Sequence, residues 1–405
     1  MKRKMVIVGV TGGIAAYKAA ELVRLLVNEK IVVRVAMTRS ATRFVTPLTF
    51  EALSGNRVVY EMFDQEGTVM DHIRWGQDSD LIIIAPATAD FIGKMAHGIG
   101  DDFLSTCVIA ATAKILVCPS MNDRMFMNPA VQENLGVLRK RGFIVLEPGQ
   151  GELACGTNGP GRLPEPVEIL EQAKSLLSDQ DLSGRKILVS AGPTVEPIDP
   201  VRYISNRSSG KMGYALARAA ARRGAEVILV SGPTSLKAPV GVTFCSVKTA
   251  DEMHRLVFEN RGGCDIVIKA AAVSDYRPRE CAGQKIKKGA ESLSLELIRN
   301  PDILACLGET KAASPCILVG FAAETENLLA NAEKKLKAKN LDMIVANDVS
   351  SNDAGFETDT NRVKFIYRDG RVEDAPLMTK DEVADRVLDR AMALREVDIG
   401  NRSGN

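Results

Sequence analysis

Short β-branched runs alternate with amphipathic helical stretches along this chain, and the alternation restarts after residue 184. That feature leaves few architectures open. A strand, a helix and a further strand in series bury their apolar faces together in a mainly parallel α/β sheet covered on both sides. In the first half the strands are expected at Met5–Val10, Ile31–Met37, Asp80–Ala85, Lys114–Cys118 and Phe143–Leu146, with helices such as Ile14–Asn28 and Phe103–Thr112. The stretch Leu163–Gly184 changes character: Pro164 and Pro166, then a polar helix to about Ser178, then Ser183 and Gly184; it reads as a linker. The second half sets strands at Lys186–Ser190, Glu226–Ser231, Thr243–Val247, Asp265–Ala270, Ile317–Phe321 and Met343–Ala346. A hairpin follows around Asp369-Gly370, and Met378–Arg395 forms a closing amphipathic helix. Two doubly wound, Rossmann-like domains are therefore expected, over residues 1–180 and 181–405. They share an architecture without a repeated motif, so they read as a fusion.

With 405 residues, each half is long enough to bury its own core. The net charge of +1 supplies no global field to recruit nucleic acid or a membrane surface, so any anion site must be local. The apolar runs, such as Leu81 to Ala89, are too short to span a bilayer. After the basic Met1–Lys4 start, the apolar run is broken by Gly9, Gly12 and Gly13, which reads as a first strand and not a signal peptide. The eight cysteines show neither CxxC pairing nor metal-ligand spacing, which fits a reducing cytoplasm. Only three histidines occur, at 72, 97 and 254, too few for a histidine-rich metal site.

The first strand opens into Gly9-Val10-Thr11-Gly12-Gly13 and a helix, a place where backbone amides can approach a phosphate. The spacing is not GxGxxG, and the second strand ends Met37-Thr38-Arg39-Ser40 without the acidic residue that would hold an NAD ribose. Arg39 keeps NADP open. Further on stand Met70-Asp71-His72-Ile73, Ala85-Pro86-Ala87-Thr88-Ala89-Asp90, Pro119-Ser120-Met121-Asn122-Asp123-Arg124-Met125 and the glycine-rich run Gly151 to Arg162 around Ala154-Cys155-Gly156. Together these closely resemble the flavin-containing cysteine decarboxylases, a flavodoxin-like flavoprotein fold, over most of residues 1–165.

That resemblance implies FMN as cofactor, with Gly12, Gly13, Thr38, Pro86, Thr88, Ser120 and Met121 as its contacts. Loss of an unactivated carboxylate needs an electron sink, which FMN supplies by oxidising the thiol-bearing carbon of the substrate. The resemblance makes His72 the residue that positions substrate and assists proton removal. Asn122 would hold the substrate carboxylate with a neutral amide, where an arginine would stabilise the anion that must be lost; it can also cap a helix. Cys155 would donate a proton as the product is reduced, so it must stay a thiol. Asp90 stands where that family often carries Asn and receives no role.

In the second half, Ala191-Gly192-Pro193-Thr194, the run Asp199 to Gly213, Ala270 to Pro278, Lys285-Ile286-Lys287-Lys288, Asn300 to Leu304, Gly320 to Thr325 and Ala346-Asn347-Asp348 follow one another in an order similar to bacterial, CTP-using phosphopantothenoylcysteine synthetases. The resemblance implies CTP, Mg²⁺, 4'-phosphopantothenate and cysteine as ligands, and an acyl-cytidylate route. CTP contacts would come from Ala271, Asp275, Lys285, Pro301, Asp302, Ile303, Leu304, Phe321, Lys335 and Lys339. Lys335 and Lys339 lie four apart on one expected helix face. Arg202 and Asn206 would handle the acyl group, Lys285 the reacting phosphoryl and acyl groups, and Ser208 to Gly213 the phosphate of phosphopantothenate.

As a whole the chain thus resembles the bacterial bifunctional phosphopantothenoylcysteine decarboxylase/phosphopantothenate–cysteine ligases of coenzyme A biosynthesis. The resemblance implies a large homo-oligomer, a dodecamer of trimeric decarboxylase and dimeric ligase contacts with FMN at a subunit boundary. Two other readings stay open: an NADP-dependent oxidoreductase fused to a nucleotide-binding domain, and a non-catalytic flavoprotein regulatory subunit.

Overall fold

A computed structural model of the chain describes residues 3–63, 70–152, 156, 158–287, 293–324, 328–348 and 360–403. It divides into two compact units, Met1–Ser178 and Asp179–Asn405. Each is an α/β layered fold, as the alternation predicts.

In the first unit the strands are β1 (Met5–Val10), β2 (Val32–Met37), β3 (Val58–Val59), β4 (Leu81–Ala87), β5 (Lys114–Pro119) and β6 (Ile144–Val145), with a hairpin of β7 (Gly149–Glu152) and β8 (Asn158–Arg162). The helices are α1 (Ala16–Asn28), α2 (Pro47–Ser54), α3 (Asp71–Asp78), α4 (Ala89–His97), α5 (Phe103–Ile109), α6 (Asp123–Phe126), α7 (Pro129–Lys140) and α8 (Pro166–Leu177). The main sheet runs β3-β2-β1-β4-β5-β6, all parallel. Its order reverses between β1 and β4, and the loops beyond the carboxyl ends of strands at such a switch point form a natural crevice. Val6, Val8 and Val10 bury toward one helical layer and Ile7 toward the other, so β1 is apolar along its whole length.

The stretch expected to be a linker belongs for the most part to the first core. Residues 166–177 form α8, and Ile169, Leu170 and Ala173 are buried in the same core as Val6, Val8 and Leu22. Its polar look is that of a helix with one outer face wet. Pro166 at its first turn and the reciprocal Glu165–Glu168 capping box start it. The connection itself begins after Leu177, and Leu182 is already buried in the second core.

The second unit carries β9 (Lys186–Ala191), β10 (Val195–Pro197), β11 (Tyr203–Ser205), β12 (Glu226–Ser231), β13 (Val242–Ser246), β14 (Ile266–Lys269), β15 (Tyr276–Pro278), β16 (Leu297–Arg299), β17 (Ile317–Glu324), β18 (Met343–Asp348), β19 (Thr360–Asn361), β20 (Val363–Tyr367), β21 (Val372–Asp374) and β22 (Met378–Thr379). Its helices are α9 (Lys211–Arg222), α10 (Ala250–Asn260), α11 (Ile303–Glu309), α12 (Leu328–Ala338) and α13 (Lys380–Ser403). The main sheet is β13-β12-β9-β14-β17-β18-β20-β21, parallel up to β18 and antiparallel beyond it. The switch point again falls beside the first strand, between β9 and β14.

Small residues set the helix–sheet distance. A Cβ on Gly213 of α9 would sit 2.5 Å from Ala191 Cβ, and Ala215, Ala217, Ala219 and Ala220 are buried on that helix. Closing helix α13 packs Val383, Ala384, Val387 and Leu388 into the same core, and Arg222 pairs with Asp385 at 2.8 Å. The short pairs β10–β11 and β15–β16 were not expected from sequence, because three-residue strands outside a main sheet carry no readable periodicity.

Candidate functional site

In the first unit, the loops beyond β1, β4 and β5 converge on a cleft of about 710 Å³. Gly12, Gly13, Thr88, Ser120, Met121 and Asn122, all proposed from sequence, line it. Gly12 is glycine because a Cβ there would lie 2.3 Å from Ser40 Cβ, whereas a Cβ on Gly13 would project toward the cleft with only Thr88 nearby, at 3.6 Å. The two glycines therefore do different work: one lets loops close together, the other leaves room.

Thr11, which sequence reasoning passed over, locks this corner. Its Oγ1 donates to the Pro86 carbonyl at 2.7 Å and accepts from the Thr88 backbone N–H at 3.0 Å. Pro86 is thus a strut whose carbonyl is already engaged, and it does not line the cleft. Thr38 likewise turns its Oγ1 to the Ala41 N–H, at 3.3 Å, outside the lining. Lys18 on α1 was also missed; it lines the cleft and donates to Glu165 Oε1 at 2.8 Å, which holds the Glu165 carboxyl below its usual range. Helical spacing from Gly13 could have found it, since one turn into α1 faces the loop.

Asn122 caps α6, its Oδ1 accepting from the Arg124 N–H at 2.9 Å. With that oxygen engaged, its amide nitrogen is the end chemically matched to a carboxylate. The β7–β8 hairpin closes over this loop: the Met121 N–H donates to the Gly161 carbonyl at 3.0 Å. Gly161 has φ +139°, and a Cβ on it would fall 2.2 Å from the Met121 carbonyl oxygen. Cys155 lies outside the described residues. His72, half-buried on α3, is not among the residues lining the cleft.

In the second unit the loops after β9 and β14 zip together. Pro193 bridges Ala272, and the Ser274 N–H donates to Thr194 Oγ1 at 3.0 Å. Asn206 Nδ2 donates to the Val273 carbonyl at 3.0 Å, and the Asn300 N–H to the Asp275 carbonyl at 2.9 Å. The structure thereby gathers Asn206, Ala271, Asp275 and the start of the 301–304 segment. Ile303 and Leu304 are core side chains, at 2% and 5% exposure, so only their backbone is available to a ligand. Phe321 packs against the opposite core from theirs. Lys339 pairs with Asp302 at 2.7 Å; its N–H bonds the Lys335 carbonyl at 3.0 Å, which keeps the two lysines on one helical turn.

Asp199 is the organiser that sequence reasoning quoted without a role. Its Oδ1 accepts from the N–H groups of Val201 and Arg202, each at 2.8 Å. Its Oδ2 accepts from Arg202 Nε at 2.9 Å, Arg202 Nη2 at 2.6 Å and the Ile286 N–H at 3.1 Å. Burial works against the charge, yet these donors hold the carboxyl far below the usual range. Arg202 Nη2 also donates to the Ile286 carbonyl at 2.7 Å, tying it to the segment that carries the exposed Lys285. Lys288 lies outside the described residues. Among the described residues, no group of three or more His, Cys, Asp or Glu could hold a metal ion, and no helix is long and apolar enough to cross a membrane.

Residues 1–178 match the family described as Flavoprotein, and residues 182–394 the DNA/pantothenate metabolism flavoprotein C-terminal domain. The chain is 47% identical to the coenzyme A biosynthesis bifunctional protein CoaBC of Bacillus subtilis, over 100% of both chains. Its counterpart in Escherichia coli K12 is 46% identical, over 95% of this chain and 96% of that one. A crystal structure of the C-terminal domain of such a protein aligns with TM-score 0.46 and 46% identity, covering 54% of this chain and all of that one. A PPC decarboxylase variant complexed with pantothenoylaminoethenethiol aligns with TM-score 0.38 and 28% identity, over 43% of this chain and 97% of that one. With both halves matched end to end, the chain belongs to the bifunctional proteins of coenzyme A biosynthesis, which join a decarboxylase and a ligase in one polypeptide.

Proposed function

We propose that the second half joins 4'-phosphopantothenate to cysteine using CTP with Mg²⁺, and that the first half, holding FMN, decarboxylates the phosphopantothenoylcysteine formed. The observation that carries the first half is the convergence of three strand-end loops and the glycine-anchored hairpin on one cleft. Its residues fit a flavin mononucleotide. The room above Gly13 faces the start of α1, where backbone donors suit a phosphate, and Met121 and Met125 offer apolar walls. When bound, FMN supplies the electron sink that decarboxylation needs.

The chain's own residues then divide the work. Asn122 orients the substrate carboxylate without a fixed positive charge, so that loss of the anion is not opposed. Cys155, which stays a thiol in this role, returns a proton. His72 moves a proton in the oxidative half; its place off the cleft of its own chain favours a homo-oligomer in which it serves a neighbour's cleft. The dodecamer that the family resemblance implies provides such a neighbour, and cytoplasmic residence goes with it.

In the ligase half, carboxylate and nucleotide are both anions, so cations must bring them together. Arg202 and Lys285 are presented on two segments that Asp199 fastens to each other. Lys335 and Lys339 face the triphosphate, and Asp275 and Pro301 flank the nucleoside. Supplying phosphopantothenate, cysteine and CTP to the full chain should give phosphopantetheine and carbon dioxide. Cutting the gene between the codons for 178 and 183 should give a yellow piece that decarboxylates supplied phosphopantothenoylcysteine without CTP, and a colourless piece that needs CTP. Ligation of phosphopantothenate to cysteine without CTP, or colour that follows the second piece, would overturn the assignment.

A further inference from the structure

Lys269 ends β14, the strand at the switch point of the second sheet. Strand alternation puts it on the same face as Val267, whose core partners include Ile303, Leu304 and Leu336 of α11 and α12. A position there is ordinarily apolar, because an ammonium loses hydration that a core cannot return; Lys269 is half-buried, with its stem along that face. Here its Nζ donates to the Ala271 carbonyl at 3.0 Å, within the loop that leads to Asp275. The charged groups that act on it are Lys339, Asp302, Asp275 and Lys335. Asp302 is itself engaged by Lys339. Three ammonium groups thus meet two carboxylates, and the cluster is one positive charge in excess at the strand-end switch point, where open α/β sheets bind ligands.

We propose that Lys269 is a third cation of the nucleotide subsite, placed at the strand end to meet the anionic phosphates of CTP beside Lys335 and Lys339. The inference rests on the CTP reading above and adds to it a residue and a pH response. Desolvation first, then the charge of Lys339, lowers the Lys269 ammonium to about 8. A polyanion bound next to it reverses the balance and raises it. The sign follows: CTP binds best to the protonated form, so affinity is full below about pH 8 and falls as pH rises toward the higher value of the complex. At pH 8 binding must therefore take up protons. The nucleotide does not supply this signal, since a phosphate's last ionisation, near about 6, is already complete.

The test is calorimetric titration of the full chain with CTP and Mg²⁺ at pH 8, in two buffers of different ionisation enthalpy. The expected result is uptake of a fraction of a proton per CTP, up to about half, given a group half-titrated at that pH. Lys269→Met, of similar length and apolar, should abolish the uptake and raise the CTP KM on the order of 10-fold or more at pH 7. The kcat at saturating CTP and the cysteine KM should change little. Lys269→Arg, charged at every pH, should bind CTP without uptake and serves if the methionine variant does not fold. No uptake by the unsubstituted chain, or uptake that persists in either variant, overturns the proposal. A merely structural lysine would lower the melting temperature and leave the uptake in place. A chain that binds no CTP and ligates without it would overturn the CTP reading instead.

Discussion

Gly161→Ala is expected to abolish decarboxylation in a chain whose ligase half still works at its normal rate. The added Cβ would fall 2.2 Å from the Met121 carbonyl oxygen, which is backbone and cannot swing aside. The φ of +139° is in addition one that alanine rarely adopts. The hairpin must lift, and it loses the 3.0 Å bond from the Met121 N–H that seats it on the loop carrying Ser120 and Asn122. Relieving the clash takes a shift of about 1 Å, and shifts of that size in positioning elements cost on the order of 100-fold in rate. Decarboxylation of supplied phosphopantothenoylcysteine and visible absorbance per chain are the measurements. Cys155→Ser should leave the flavin bound and stop the reaction after release of carbon dioxide, because serine is a far weaker acid. A Gly161→Ala chain that decarboxylates normally would show that the hairpin seat has no part in the cleft.

Asp199→Asn should produce the mirror result: ligation lost, decarboxylation and colour intact. Both carboxylate oxygens act only as acceptors, Oδ1 from two N–H groups and Oδ2 from three. An amide turned either way points its NH₂ at donors, so the substitution replaces attraction with a clash of hydrogens. The loop carrying Arg202 then parts from the segment carrying Lys285, and two reacting anions lose their shared cationic frame. A fall on the order of 100-fold in ligase kcat/KM is expected. Steady-state ligation, with CTP held saturating, checks it. Retained ligation would mean that Arg202 and Lys285 do not need to be fastened together.

Most strands of both main sheets were readable because their residues are buried on both sides; β1, β9, β12 and β14 are near-continuous apolar runs that no other structure could hide. Helix α8 was misjudged as linker because its buried stripe of Ile169, Leu170 and Ala173 is narrow beside its polar face. The glycines at 12 and 13 were legible as a turn, but only the Ser40 approach shows which of them is sterically obligatory.

By itself the sequence determined two α/β units in series, their family, and the motifs that lie on strand-end loops. These are local properties, written in periodicity and in runs of adjacent residues. Tertiary structure decided which loops meet: β1 lies beside β4, so Thr11 holds Pro86 and Thr88, and β14 beside β9, so Asn206 reaches Val273. It also singled out Asp199 and Lys269, whose neighbours lie up to 87 positions away along the chain. A carboxylate's five donors, or a half-buried lysine's place beside two other ammonium groups, arise only when the sheet brings distant segments together, and no spacing within either segment records them.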